Sequence, residues 1–101
     1  MFLFLFSQVS FAQFDSDLKL ADHYYTQGEY DKARPYYESV YKTNPSKIYL
    51  SRLLGCLEAE GDLKQAEKLL KKAKAKSPAD LDLKIQLAVF YEEHDLSLIH
   101  I

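Results

Sequence analysis

One pattern occurs twice in this chain, and it constrains the fold more than any other feature. Residues 28–45, GEYDKARPYYESVYKTNP, align without a gap with residues 61–78, GDLKQAEKLLKKAKAKSP. The separation between Gly28 and Gly61, which we call the repeat period, is typical of an array of helical hairpins. The positions shared by the two copies are an opening glycine, a small alanine and a closing proline: Gly28, Ala33 and Pro45 in the first copy, and Gly61, Ala66 and Pro78 in the second.

Each copy contains a helix with a clear start and a clear stop. Glycine followed by an acid, in Gly28-Glu29 and Gly61-Asp62, predicts that one helix ends and that a side-chain oxygen caps the next. Asn44-Pro45 and Ser77-Pro78 end the second helix, because the residue before proline avoids the α region. Apolar residues three and four apart form one face of this helix: Tyr30, Ala33, Tyr37 and Val40, then Leu63, Ala66, Leu70 and Ala73.

A first helix precedes each copy, and another follows the second. We expect these helices over Phe14 to Gln27, from about Lys47 to Glu60, and from about Ala79 onward. Their corresponding apolar residues are Leu20, Leu53 and Leu87, and then Tyr24, Leu57 and Tyr91. Other residues predicted to face inward are Ala21, Leu50, Leu54, Leu83 and Ala88, together with Tyr30 and Tyr37. Residues predicted to be exposed or freer are Asp15, Asp17, Asp22, Tyr25, Tyr36 and Tyr41.

These glycine, alanine, aromatic and proline positions resemble tetratricopeptide repeats. The resemblance implies an all-α fold, a helix-turn-helix repeat array of the α-solenoid type. It covers residues 13–95 as two full repeats, 14–46 and 47–80, and the first helix of a third, 81–95. The bulky residue that the family commonly has early in the first helix is replaced by Asp17 in repeat one and by Lys84 in repeat three.

The resemblance also implies a function, because first helices in this family line a concave groove that receives a peptide. The predicted groove residues are Leu18, Asp22, Tyr25, Ile48, Ser51, Glu58, Ile85, Val89 and Glu92. The family's carboxylate-binding version needs Lys, Arg and Asn at such positions, whereas this chain has Leu18, Asp22, Asp82 and Gln86. We therefore expect a protein-binding scaffold whose partner is a basic or amphipathic segment.

Both ends of the chain differ from the repeats. Residues 1–12, MFLFLFSQVSFA, are apolar and then small, which is typical of a secretory signal peptide and predicts a periplasmic or cell-envelope protein. No basic residue precedes the apolar run, so a true start upstream, an uncleaved anchor or a fortuitous apolar end stays open, and without export the protein would be cytoplasmic. Residues 96–101, LSLIHI, have no repeat character, and we interpret them as a translated sequencing adapter after which the gene continues, or as a short natural tail.

No pattern for catalysis or cofactor binding occurs in the sequence. The three histidines lack the spacing of a metal site, and we find no phosphate-binding loop and no set of nucleophile, base and orienting group. The single cysteine, Cys56, is predicted to be a small buried hydrophobe. We expect no enzyme, no cofactor and no small-molecule substrate, and a formal net charge of −2 indicates no general nucleic-acid binding.

Charge is unevenly distributed along the chain. Asp62 to Lys76 carries six lysines against two acids, and Gln13 to Asp31 carries five acids against one lysine. Such a lysine run is either the solvated side of a helix or a surface that steers a partner or a neighbouring copy. Two alternative functions remain: the docking or sensory region of a larger enzyme or signalling protein, and an array that self-associates through the third-repeat helix.

Overall fold

Five helices follow one another in the computed structural model, which describes the backbone of residues 2–94 and the side chains of residues 11–94. All regular secondary structure in that range is α-helical. The helices are α1 (Phe2–Thr26), α2 (Tyr30–Thr43), α3 (Lys47–Ala59), α4 (Leu63–Lys76) and α5 (Leu81–His94). They form two compact units, Met1–Gly61 with α1 to α3, and Asp62–Ile101 with α4 and α5.

The helix boundaries agree with the predictions except at two starts. The first helix begins at Phe2 rather than Phe14, so its backbone continues through the predicted signal peptide, whose cleavage stays a prediction. The fifth begins at Leu81, because the Asp80 carboxylate accepts hydrogen bonds from the backbone N–H groups of Asp82 and Leu83 at 3.0 and 3.4 Å. Residues 96–101, the predicted tail, lie outside the described part of the chain.

The turns between paired helices depend on glycine in the left-handed region. Gly28 and Gly61 have φ of 77° and 76°, as the sequence predicted. The predicted acidic cap is present at Asp62, whose side chain accepts from the Gln65 backbone N–H at 3.3 Å. It is absent at Glu29, because the longer side chain instead forms an ion pair with Lys32 at 3.5 Å.

Buried positions recur at the repeat period in all three repeats. Both alanines that the two copies share, Ala33 and Ala66, are fully buried. The other recurring positions are Asp17, Leu50 and Leu83, then Ala21, Leu54 and Leu87, then half-buried Tyr24 with Leu57 and Phe90, then Tyr37 with Leu70, and Val40 with Ala73. One period therefore describes the core of every repeat.

This period corrects the register predicted for the third repeat. Leu87 corresponds to Ala21 and Leu54, not to Leu20 and Leu53, and Ala88, predicted to face inward, is exposed. The prediction was wrong by one residue because Gln86 stands at the Leu20 position, so matching leucine to leucine shifted the alignment. The early bulky residue of repeat three is then Leu83, and Lys84 is no departure from the family pattern.

Asp17 is buried, although the sequence predicted an exposed side chain. It is 5% exposed, and its two carboxylate oxygens accept hydrogen bonds from Gln13 Nε2 at 2.8 Å and Ser39 Oγ at 2.7 Å. The bond from Ser39 joins α1 to α2, whereas the bond from Gln13 lies within α1, and together they make burial of the carboxylate tolerable. Asp17 occupies the position that Leu50 and Leu83 fill in the other repeats.

Replacing Asp17 by leucine should therefore stabilise the chain, by about 1–2 kcal/mol, because apolar burial replaces a desolvated carboxylate. Ser39 and Gln13 are exposed, so water satisfies their polar atoms after the substitution. Asp17→Ala is the matched variant, and it should destabilise by about 1–3 kcal/mol through the lost bonds and the cavity. Urea unfolding of the parent and of both variants, monitored by circular dichroism, measures these differences, and the prediction fails if the leucine variant is less stable than the parent.

Candidate functional site

Tyr25 of α1 is the centre of a cluster of aromatic and charged side chains in the first unit. Its ring makes edge contacts with the rings of Tyr30 and Tyr37, with centroids 5.2 and 5.8 Å apart. Tyr37 is fully buried, whereas Tyr25 and Tyr30 are half-buried. The prediction that Tyr25 is a freer side chain was wrong, because contacts from two helices hold its ring.

Gly55 of α3 allows Tyr25 to lie this close. A Cβ atom placed on Gly55 would be 3.1 Å from the Tyr25 hydroxyl oxygen and 3.6 Å from its ring. A side chain larger than alanine would therefore displace the tyrosine from α3. The sequence signal was the glycine itself, because a glycine inside a helix weakens it and often marks a close approach.

Arg52 of α3 is the charged side chain of this cluster. The central carbon of its guanidinium lies 4.5 Å from the Tyr25 ring centroid, a cation–π geometry. Its Nη1 also donates to the Tyr37 hydroxyl oxygen at 3.4 Å, near the limit for a hydrogen bond. Sequence reasoning did not select Arg52, although it is the one arginine of α3 and lies about one helical turn before Gly55.

Tyr37 connects this arginine to Asp22, one of the predicted groove residues. The Tyr37 hydroxyl donates to Asp22 Oδ1 at 2.5 Å. Burial, and then the hydrogen bond to Asp22, raise the pKa of Tyr37 well above its ordinary value, so it stays a proton donor at physiological pH. The hydrogen bonds of Tyr37 thereby connect an exposed carboxylate, Asp22, to the cation that lies over the Tyr25 ring.

The remaining predicted groove residues of the first unit differ in exposure. Ile48 is 60% exposed, which is unusual for an isoleucine in a helix, and Ser51 is exposed one turn further along α3. Leu18 and Glu58 are half-buried. Of the six predicted residues in this unit, the structure joins Asp22 and Tyr25 in one network.

The three predicted groove residues of the second unit lie on α5. Ile85 is 59% exposed, Val89 is 43% exposed, and Glu92 is exposed. Leu81, which the sequence prediction left out, is 68% exposed and lies one helical turn before Ile85. Residues four apart lie on one face of a helix, so Leu81, Ile85 and Val89 form an exposed apolar stripe.

A family model for the tetratricopeptide repeat matches residues 18–80, more than half of the chain. The chain belongs to the tetratricopeptide repeat family. Searches of curated proteins and of solved structures each found no match. Tetratricopeptide repeats generally mediate protein–protein interactions, and they are typically non-catalytic modules.

The tetratricopeptide match covers the first two repeats but ends before α5. That helix is assigned to a third repeat by its burial pattern, since Leu83, Leu87 and Phe90 stand one repeat period after Leu50, Leu54 and Leu57. The all-α array predicted from the sequence is thus confirmed.

The first unit of this tetratricopeptide array has two further features, the buried Cys56 and an apolar cleft. Cys56 is fully buried, as predicted, and burial raises its pKa to about 11, so the thiol is protonated and unreactive at neutral pH. An open cleft of about 330 Å³ is lined by Phe11, Phe14, Thr43 and Asn44, none of which was a predicted site residue. Across the described residues no helix has the length and apolar character needed to span a membrane.

Proposed function

We propose that the chain is a protein-binding scaffold that holds a peptide or protein segment against the first helices of its repeats. One observation carries the proposal: every large hydrophobic residue that the described structure exposes lies on α1, α3 or α5. These residues are Phe11, Ile48, Leu81, Ile85 and Val89. Apart from Pro35 and Ala75, the residues exposed on the second helices, α2 and α4, are polar or charged, so the apolar contact surface is confined to one class of helix.

The carboxylates among the predicted groove residues indicate the chemistry of the partner. Asp22 and Glu92 are exposed carboxylates among the predicted groove residues, and Glu58 is a half-buried one. Arg52, the nearest cation to Asp22 in the described network, is held on Tyr25 and Tyr37. These carboxylates and the exposed apolar side chains of the first helices support a partner segment that combines apolar residues with lysine or arginine.

Selection from a phage-displayed library of random peptides tests this function. We expect the enriched peptides to combine apolar residues with lysine or arginine. Ile48→Ser should weaken the binding of an enriched peptide about tenfold, because it removes exposed apolar area from the contact.

The matched control is Ala75→Ser, an exposed position on α4, which should change the affinity by less than about twofold. Equal weakening by both variants, or a library that yields no enriched sequence, would contradict binding at the first helices. Circular dichroism spectra of both variants should match the parent, because both positions are exposed.

Self-association is a second candidate, favoured by the apolar stripe of Leu81, Ile85 and Val89 on α5. Light scattering across a concentration series distinguishes it from peptide binding. A parent chain that dimerises and an Ile85→Glu variant that stays monomeric would support it, and a parent that is monomeric at high concentration would exclude it.

A further inference from the structure

Four lysines of α4 form a continuous charged row along one side of the helix. Lys64, Lys68, Lys72 and Lys76 are four residues apart and all exposed, and we call them the lysine stripe. Successive members rise about 6 Å along the helix, so the stripe is about 18 Å long. The buried residues of α4, Ala66, Leu70 and Ala73, lie on its other side.

No member of the lysine stripe forms an ion pair with a residue that the structure describes. The single acid within α4, Glu67, is 3.5 Å from Lys71, which is not a member of the stripe. Like charges four residues apart repel each other and weaken a helix. Lys64 is doubly unfavourable, because it lies in the first turn, where the helix dipole disfavours a cation.

The repeat fold does not require lysine at these positions. The positions one repeat period earlier, on α2, carry Asp31, Pro35, Ser39 and Thr43. Those residues occupy the same places in a helix with the same core, and none is basic. The lysine stripe therefore weakens α4 and is not required by the fold. A ligand that neutralises the four positive charges would account for it.

We propose that the lysine stripe binds an acidic helical segment of a partner protein, one that carries glutamate or aspartate at every fourth position. Carboxylates at that spacing also rise by about 6 Å, so each one meets an ammonium group along the stripe. This surface is separate from the first-helix residues of the proposed function, and it rests on α4 alone.

Two other anionic partners fit the stripe less well. Nucleic-acid surfaces usually combine lysine with arginine or aromatic residues, whereas the stripe has neither, and the chain has a formal net charge of −2. Helices that bind membranes insert large apolar side chains between the lipids, but the leucines of α4 are buried or half-buried and its one exposed apolar residue is Ala75. The protein partner is therefore favoured.

Fluorescence anisotropy with a synthetic probe tests the proposal. The probe is a labelled, capped, alanine-rich helical peptide with glutamate at every fourth position, and its control has glutamine there. At low salt the parent should bind the glutamate peptide and not the glutamine one. The combined variant Lys64→Gln, Lys68→Gln and Lys72→Gln should bind about tenfold more weakly, because three charge pairs are lost.

A second variant with the same change in net charge is the control. It replaces Lys19, Lys42 and Lys84, which are exposed and lie outside α4, by glutamine. It should keep the parent affinity within about twofold. The stripe variant should also keep the parent's helicity and melt at a higher temperature, because repulsion along α4 is removed, so a loss of binding is not a loss of folding.

The proposal is overturned if the parent does not bind the glutamate peptide, or if the two triple variants lose affinity equally. It is also overturned if the parent binds vesicles of phosphatidylglycerol and phosphatidylcholine, or a single-stranded oligonucleotide, more tightly than the peptide. Failure of the phage selection at the first helices leaves these outcomes unchanged, because the two tests use different residues.

Discussion

Ala33→Glu should unfold the first unit at room temperature. Ala33 is fully buried on α2, which packs against both α1 and α3, so the new carboxylate has neither water nor a partner. Burying an unpaired charge, with the overpacking that a longer side chain adds, costs about 4 kcal/mol or more. That is comparable with the whole stability of many small domains. Circular dichroism at 222 nm should therefore show a large loss of helix at 25 °C.

The control for this substitution is Ala59→Glu, at the exposed last position of α3. Its melting temperature should stay within a few degrees of the parent's, because the charge remains in water. Ala66, the fully buried alanine at the same place in the next repeat, should respond to glutamate as Ala33 does. A parent-like melt for Ala33→Glu would show that α2 does not pack at this alanine.

Tyr37→Ala has the second-largest expected effect. Tyr37 is among the largest fully buried side chains, and it contacts Tyr25, Asp22 and Arg52. Removing a buried aromatic ring typically costs about 3–5 kcal/mol, and here the cavity would lie between helices of one unit. Urea unfolding of the parent and the variant gives the difference in the free energy of unfolding.

Tyr37→Phe separates the ring from the hydroxyl group. It keeps the packing and removes the hydroxyl's bonds to Asp22, which is exposed and regains water, and to Arg52, which keeps its contact with Tyr25. It should therefore cost about 1–2 kcal/mol. A phenylalanine variant as unstable as the alanine variant would show that the hydroxyl, not the ring, dominates the contribution of this residue.

Helix order, turns and second-helix cores were predictable because each has a local physical cause. Gly28 needs the left-handed region, Asn44-Pro45 cannot continue a helix, and Ala33 and Tyr37 follow a helical period. These features depend on residues within a few positions of one another. They can therefore be inferred without knowledge of the neighbouring helix.

Two predictions were wrong because a residue on another helix determines the surroundings of the side chain. Burial of Asp17 depends on Ser39 of the next helix, which offers its hydroxyl to the carboxylate. The fixed position of Tyr25 likewise depends on Gly55 and Arg52 of another helix. The spacing of apolar residues predicts which side of its helix a residue lies on. It does not predict which polar groups of a neighbouring helix lie next to that side.

The same limitation applies to the candidate site. The resemblance selected exposed positions such as Ile48 and Ile85, and it missed Arg52 and Leu81. Arg52 belongs to the site because it contacts residues of other helices, and no pattern within α3 predicts those contacts. Leu81 was not predicted because the register assigned to the third repeat was wrong by one residue. That error shifted every predicted position on α5 by one residue.

The contact between Tyr25 and Gly55 has a consequence for the order of the repeats. The positions equivalent to Gly55 are Asp22 in the first repeat and Ala88 in the third, so glycine occurs at this place only once. The buried residues of the first and second repeats are similar enough that a genetic exchange of these two repeats would preserve a core. The exchange would nevertheless separate the tyrosine from the glycine that makes room for it. The order of the repeats is therefore part of what the sequence encodes, because this contact exists only when the helix with Tyr25 comes one repeat before the helix with Gly55.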